Sequence, residues 1–397
     1  LVLRLIVDSA DVEFSELVNL PGSDAHTSPE LVRVWDLPTR LFHWLLVLAV
    51  SVALLTGFLS PEWWLGLHLI AGYAIVLLLV FRIVWGVFGT EYARLSNMAS
   101  ATRGFWNYVR GLAMLRPPHY FGHNPAGVFM IFGFLTVFIV LVVTGLMIEG
   151  GEEKQGPLAG VTTYALGHGA KEVHEASALL VLLMIGVHIA GVIVESWLQG
   201  VNLVRGMIDG QMPLPSGYDI PPPRRARPLA AGSVLLVLAI ATGGALYGLS
   251  RLPPLGIPPM AENATYRAEC GACHWSFHPS LLPKSSWEQL LAKLDEHFGE
   301  DANLPADKKD EIARYLSAYS AESWDTEAAN RFRLVSASNP MQITKTSYWV
   351  AKHRQIDPKL FQSAAVKSSS NCTACHKDAD TGRFDDQRIE VPKASGP

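Results

Sequence analysis

The chain has 397 residues, room for two or three domains, with a formal net charge of −4 and 49% hydrophobic residues. The apolar weight is concentrated early and the last third is ordinary and polar, which excludes a uniformly soluble protein. No basic patch interleaved with aromatics is present, which argues against a nucleic-acid partner.

Taken in order, residues 1–30 read as an N-terminal cytoplasmic extension. Asp8, Asp11 and Glu13 interrupt any signal-peptide core there, and His26 reads as a solvated side chain. Four apolar stretches follow at about 41–59, 65–88, 127–148 and 173–197, each near the length that crosses a bilayer as a helix. Arg40 and His43 open the first, and His68 lies near the start of the second. Between those two, the Trp-rich 61–64 connection is an interfacial signal. Residues 201–228 read as a cytoplasmic, proline-rich linker, 229–250 as a fifth span, and 251–259 as a short periplasmic linker. Residues 260–397 then form a small, mainly helical domain.

Basic loops stay inside. Arg94, Arg103, Arg110 and Arg116 lie between spans two and three, and Arg205, Arg224, Arg225 and Arg227 between four and five. The connection at 149–172 is acidic and glycine-rich, with only Lys154 and Lys171. This places the N-terminus in the cytoplasm and the C-terminal domain in the periplasm of a bacterial inner-membrane protein.

All four cysteines fall in Cys270-Gly-Ala-Cys273-His274 and Cys372-Thr-Ala-Cys375-His376. Each CxxCH reads as a covalent haem c site, two thioethers and an axial histidine. The two pairs lie too far apart for a zinc ribbon. Haem c is attached outside the bacterial cytoplasm, in agreement with the charge argument.

The fourth span carries His174 and His188 fourteen residues apart, about 21 Å of helix rise and near one face. The alternative is two buried polar side chains, but ionisable groups inside a span are costly and usually functional. The topology puts His43 level with His188 and His68 level with His174, which gives two bis-histidine b haems in a four-helix bundle. Arg40 and Arg82 lie near the cytoplasmic pair and are candidate propionate partners. In the last domain, Trp287, Leu290, Leu291, Leu294 and Phe298 share the spacing of an amphipathic helix, and Ile312, Tyr315, Leu316 and Tyr319 form another such face. His297 and His353 are the candidate sixth ligands there, His297 for the haem of His274 and His353 for that of His376, with crossed pairing the alternative. Met260 and Met341 are weaker alternatives. His278 is expected to be structural, His119 and His123 loop or capping residues with a quinone or propionate contact as the alternative, and His168 is unassigned.

The stretches Trp35-Asp-Leu-Pro-Thr-Arg-Leu-Phe-His43-Trp, Phe81-Arg-Ile-Val-Trp-Gly-Val-Phe-Gly and Gly122-His-Asn-Pro125, with the His174/His188 helix, resemble the bacterial cytochrome b561 family over about 31–200. That family includes the cytochrome b subunits of nickel–iron hydrogenases, and the resemblance implies two b haems and exchange with the quinone pool. The runs His278-Pro-Ser-Leu-Leu-Pro-Lys-Ser-Ser-Trp287, His297-Phe-Gly-Glu-Asp-Ala302 and Lys352-His353-Arg354 are similar to the dihaem cytochrome c family. This resemblance implies electron transfer to a small periplasmic haem protein.

The expected fold is all-α: a membrane four-helix haem bundle, a fifth transmembrane helix and a dihaem cytochrome c domain. Eight histidines match the axial positions of two haems b and two haems c, which suits electron transfer rather than gas sensing. The expected activity is quinol:cytochrome c-type oxidoreduction, between membrane quinone and a periplasmic haem protein. The alternatives are an electron-relay subunit of a larger redox complex and a superoxide:quinone oxidoreductase.

Overall fold

The computed structural model of the protein describes residues 31–118, 120, 122–214, 225–334 and 340–393. The 1–30 extension with His26, and also His119 and Arg224, lie outside the described residues.

Among the described residues, five helices are long and apolar enough to cross a membrane. The first, α1 (Leu37–Phe58), is started by Asp36, whose carboxylate accepts the Thr39 N–H at 2.9 Å. A single 3-10 turn connects it to α2 (Leu65–Phe88). Two short helices, α3 (Leu95–Ala101) and α4 (Phe105–Ala113), lie across the bundle end before α5 (Pro125–Gly151). Asn124 caps α5 and Pro125 occupies its first turn, where a missing N–H costs nothing. The fourth span, α6 (Tyr164–Gln199), has 36 residues rather than the 25 of the 173–197 stretch. Thr163 caps it and Gly200, at φ 64°, stops it in the left-handed conformation that glycine tolerates.

The described start of the 201–228 segment, residues 201–214, carries secondary structure. It begins with α7 (Leu203–Asp209), followed by strand β2 (Gln211–Pro213), antiparallel to β1 (Leu31–Arg33) with Val32 opposite Met212. Met212 is buried there against Val34 and Trp35. The fifth span, α8 (Pro228–Ser250), packs by Ala231, Val234 and Leu235 onto Val84, Trp85 and Phe88 of α2.

The bundle core is small and central. Ala49 and Val50 of α1, Ile75 and Leu79 of α2, Phe138 of α5 and Val181 of α6 close on one another. Val181 is seven residues from both His174 and His188, so this apolar plug lies midway between the two histidine levels.

The C-terminal part has α9 (Ala264–Cys270), α10 (Lys284–Ala292), α11 (Ala306–Ala318), α12 (Glu327–Phe332) and α13 (Ser347–Lys352), joined by 3-10 turns. Its core gathers Tyr266, Leu281, Leu282, Trp287, Leu291, Leu294, Ile312 and Leu316. The amphipathic run from Trp287 does not extend to Phe298. The helix ends at Ala292, Leu294 stays buried on a 3-10 turn, and Phe298 is 56% exposed at φ 53°, next to Gly299 at φ 99°.

This part rests on one end of the bundle. Lys154, 1% exposed, pairs with Asp325 at 2.8 Å, and Asp325 also accepts the Tyr164 N–H at 2.8 Å. Leu255 donates to the Ala159 carbonyl, and the Asp386 N–H donates to Glu153 at 3.1 Å. Lys352 meets Glu62 at 3.1 Å, just before α2. The glycine-rich 149–172 connection is thus a platform between the two parts.

Candidate functional site

The structure places the eight histidines in four facing pairs. His43 of α1 faces His188 of α6 with ring centres 6.5 Å apart, and His68 of α2 faces His174 of α6 at 6.2 Å. His274 faces His297 at 6.2 Å, and His353 faces His376 at 6.1 Å. Two metal–imidazole bonds of about 2.0–2.1 Å, plus the offset of each nitrogen from its ring centre, fill a span of this size with one ion. The His68–His174 pair lies at the end nearest the C-terminal part, here the proximal end, and His43–His188 lies at the distal end.

A metal-binding imidazole needs its second nitrogen held and its tautomer fixed. At the proximal pair this is done by a repeated dipeptide. Thr56 donates its hydroxyl to the Val52 carbonyl at 2.7 Å, so its oxygen is left to accept from His68 Nδ1 at 3.2 Å. Thr144 likewise donates to Val140 at 2.7 Å and lies 3.0 Å from His174 Nδ1. The next residue is glycine both times. A Cβ on Gly57 would lie 3.3 Å from His68 Cε1, and one on Gly145 would lie 3.4 Å from His174 Cε1. Thr-Gly leaves room for each ring and an acceptor beside its Nδ1, which at His68 is shared with the Ala53 carbonyl at 3.1 Å. The sequence carried this signal as Thr56-Gly57 and Thr144-Gly145 inside two apolar spans, and histidine spacing alone missed it.

A cavity partly open to the surroundings takes in His68, His174, Gly57, Gly72 and Gly145. Its lining is otherwise mostly aliphatic, with Tyr73, Glu149 and Glu175 as further polar members. A flat, apolar, metal-centred ring such as a haem fits this chemistry: two facing imidazoles, glycines where side chains would intrude, and aliphatic walls.

In the C-terminal part, His353 Nδ1 donates to the Trp349 carbonyl at 2.8 Å and its ring stacks on Trp349 at 4.2 Å. His274 Nδ1 donates to the Trp275 carbonyl at 2.7 Å. Burial pushes His376 down to about 4 and lowers His353 and His297, so these rings are neutral at pH 7 with a lone pair to offer. Burial also pushes the Cys270 thiol up to about 11 and the Cys372 thiol up to about 12. A redox-active CxxC has depressed thiols, so these pairs suit covalent attachment better than thiol exchange. Among the described residues, no group of three or more His, Cys, Asp or Glu converges as a zinc site would require.

The remaining candidates have other partners. Arg40 donates to the Ile208 carbonyl, and its Nε is buried without a partner among the described residues. Arg82, 5% exposed, donates to the Ala93 carbonyl at 2.9 Å and approaches the Met98 sulfur at 3.6 Å. His123 packs edge-on to Trp35 at 4.5 Å. His168 is part of the junction, 2.7 Å from Glu152 and 3.1 Å from Arg331. His278, 3% exposed, accepts the Ser280 N–H and belongs to none of the four pairs. Met260 accepts the Tyr315 hydroxyl.

Two family profiles match the chain: prokaryotic cytochrome b561 over residues 34–210, and dihaem cytochrome c over residues 266–384. Among curated proteins, the probable Ni/Fe-hydrogenase B-type cytochrome subunit of Cupriavidus necator is 28% identical over 208 residues, 45% of this chain and 85% of that protein. The counterpart from Bradyrhizobium diazoefficiens is 26% identical over 213 residues, 45% of this chain and 85% of that protein. Among solved structures, the diheme cytochrome c from Rhodobacter sphaeroides is 37% identical, covering 32% of this chain and all of that one, with a TM-score of 0.28. The diheme cytochrome of Shewanella baltica is 30% identical over 34% of this chain and 96% of its own, with a TM-score of 0.27.

Proposed function

The chain joins a prokaryotic cytochrome b561 domain (residues 34–210) to a dihaem cytochrome c domain (residues 266–384) in a multi-pass membrane protein, and we propose that it passes electrons between membrane quinone and a periplasmic haem protein. The observation that carries this reading is the set of four imidazole pairs, each 6.1–6.5 Å across. In this reading His43/His188 and His68/His174 hold two haems b, and His274/His297 and His353/His376 hold two haems c through Cys270, Cys273, Cys372 and Cys375. When bound, these groups would supply reversible one-electron chemistry.

The protein's own contribution is placement. The paired imidazoles would hold each metal and leave no open position on it for a substrate. Arg40, with its unpaired Nε–H, is the better placed of the two arginines to meet a haem carboxylate, and the donors Arg82 has left over are the second source of charge. Glu62 stands three residues before Leu65, the first residue of α2, and six before His68. Lys352, adjacent to His353, pairs with Glu62 and so brings the His353/His376 pair beside the proximal end of the bundle. Basic loops at the distal end and haem c chemistry at the other support a periplasmic C-terminal part.

The test is an anaerobic stopped-flow mix of the oxidised, purified protein with excess quinol, following b and c α-bands separately. The b bands are expected to reduce first and the c bands within turnover time. Reduction only from a reduced periplasmic cytochrome, c bands first, would reverse the direction. The relatives named as hydrogenase cytochrome subunits support a second reading, a relay subunit of a larger redox complex. Inactivity toward both donors, with other redox subunits co-purifying, would favour it.

A further inference from the structure

We propose that the cavity beside His68 and His174 receives a membrane hydroquinone at its Tyr73–Glu149 end, where the Glu149 carboxylate accepts the hydroquinone's protons. This rests on the quinol reading above and adds to it a site and a proton acceptor.

The Tyr73 hydroxyl donates to Glu149 Oε2 at 2.6 Å, and both side chains line the cavity. Glu149 is 7% exposed at the end of a membrane-spanning helix, where an ionisable group is costly and usually functional. Tyr73 is 37% exposed, so an apolar molecule can approach the pair from outside the bundle. Gly156, at φ 67°, lies so close to Glu149 that a Cβ there would collide with its carboxyl, so glycine is needed to leave room for the group.

An outlet lies behind the pair. Asp385, 1% exposed, acts electrostatically on both Glu149 and Glu153, and its Oδ2 is buried without a partner among the described residues. The Asp386 N–H donates to Glu153, and Glu62 beyond them is half exposed. Burial pushes Asp386 up to about 7, so it can take and release protons near neutral pH, and burial raises Glu153 well above the usual carboxylate range. The groups facing Glu149 are Tyr73 from α2 and Asp385 from the C-terminal part, and Glu175 of α6 lines the same cavity.

Oxidation of hydroquinone to quinone breaks two O–H bonds and releases two protons and two electrons. The protons pass in turn to Glu149 and leave by way of the Glu153 and Asp386 carboxylates, and the electrons go singly to ferric haem, the oxidant class the two families supply. A second buried pair, Tyr108 on Glu195 with Gln199, lies at the distal end. It is sealed, with Tyr108 1% exposed.

The experiment compares the haem-loaded full chain with E149Q, Y73F and E195Q, using decylubiquinol as donor in H₂O and D₂O from pH 5.5 to 8.5. E149Q is expected to slow haem reduction about 100-fold and flatten its pH profile, with E149D recovering part of both. Y73F should slow it less, and E195Q should leave it unchanged. Dithionite should still reduce all haems of each variant at unaltered potentials. A wild-type rate and pH profile in E149Q overturns the site, as does loss in E195Q instead. A wild-type protein that decylubiquinol does not reduce overturns the quinol reading and this site with it.

Discussion

At the scale of single residues, the proximal histidine pair is distinguished by a threonine beside each second nitrogen. His68 and His174 each have a threonine that has already donated its proton to its own helix and is left as an acceptor. Replacing Thr144 by valine keeps the shape and removes that acceptor. Loss of such a partner typically weakens metal binding about 10–100-fold, so T144V should bind the proximal haem b more weakly and shift its potential in a redox titration. An unchanged titration would show that Thr144 serves helix packing alone. The eight histidines could be read from the sequence because CxxCH is a local motif and fourteen residues place two side chains near one helix face. The threonines could not, because Thr56 and Thr144 meet their histidines only across helix pairs.

At the scale of elements, α6 is the member that both parts share. Its 36 residues rise about 54 Å, against a hydrocarbon core of about 30 Å. The excess carries His168 and Lys171 to Glu152 at the junction. Hydropathy reports only the apolar part of a helix, so the polar first turns of α6 read as loop. The small residues on the neighbouring helices are as specific as the histidines. With Gly145 already 3.4 Å from His174 at its Cβ position, the branches of G145V would enter the cavity. G145V is expected to lower the haem b content from two per chain to one in a pyridine haemochrome assay, with both haems c retained. A full complement of haem b would show that the cavity tolerates the added volume.

At the scale of the whole molecule, the junction determines whether the two parts act as one. Lys154 is buried, and removing one member of a buried ion pair costs about 3–5 kcal/mol. Asp325 is about a quarter exposed, so K154A should lie at the lower end, near ~3 kcal/mol. It should slow quinol-driven reduction of the c bands while sparing the b bands. The junction is also pH-sensitive. Burial holds Asp386 protonated up to about 7, above its ordinary 3.8. Between these values the docked form binds more protons than the undocked one, so docking weakens as pH rises through this window. Hydrogen exchange at the Asp386 and Tyr164 amides is expected to be better protected at pH 5 than at pH 8, and the opposite order would contradict this assignment.

The sequence by itself determined the five spans, the two CxxCH motifs and the eight histidines proposed as ligands, because hydropathy, helical period and covalent motifs are properties of neighbouring residues. Tertiary structure decided which histidines face one another at 6.1–6.5 Å, the Thr-Gly support of the proximal pair, and the Tyr73–Glu149 contact. It also decided the seating of the C-terminal part on the 149–172 connection. Each of these joins residues far apart in the chain, and local pattern has no way to specify such distances.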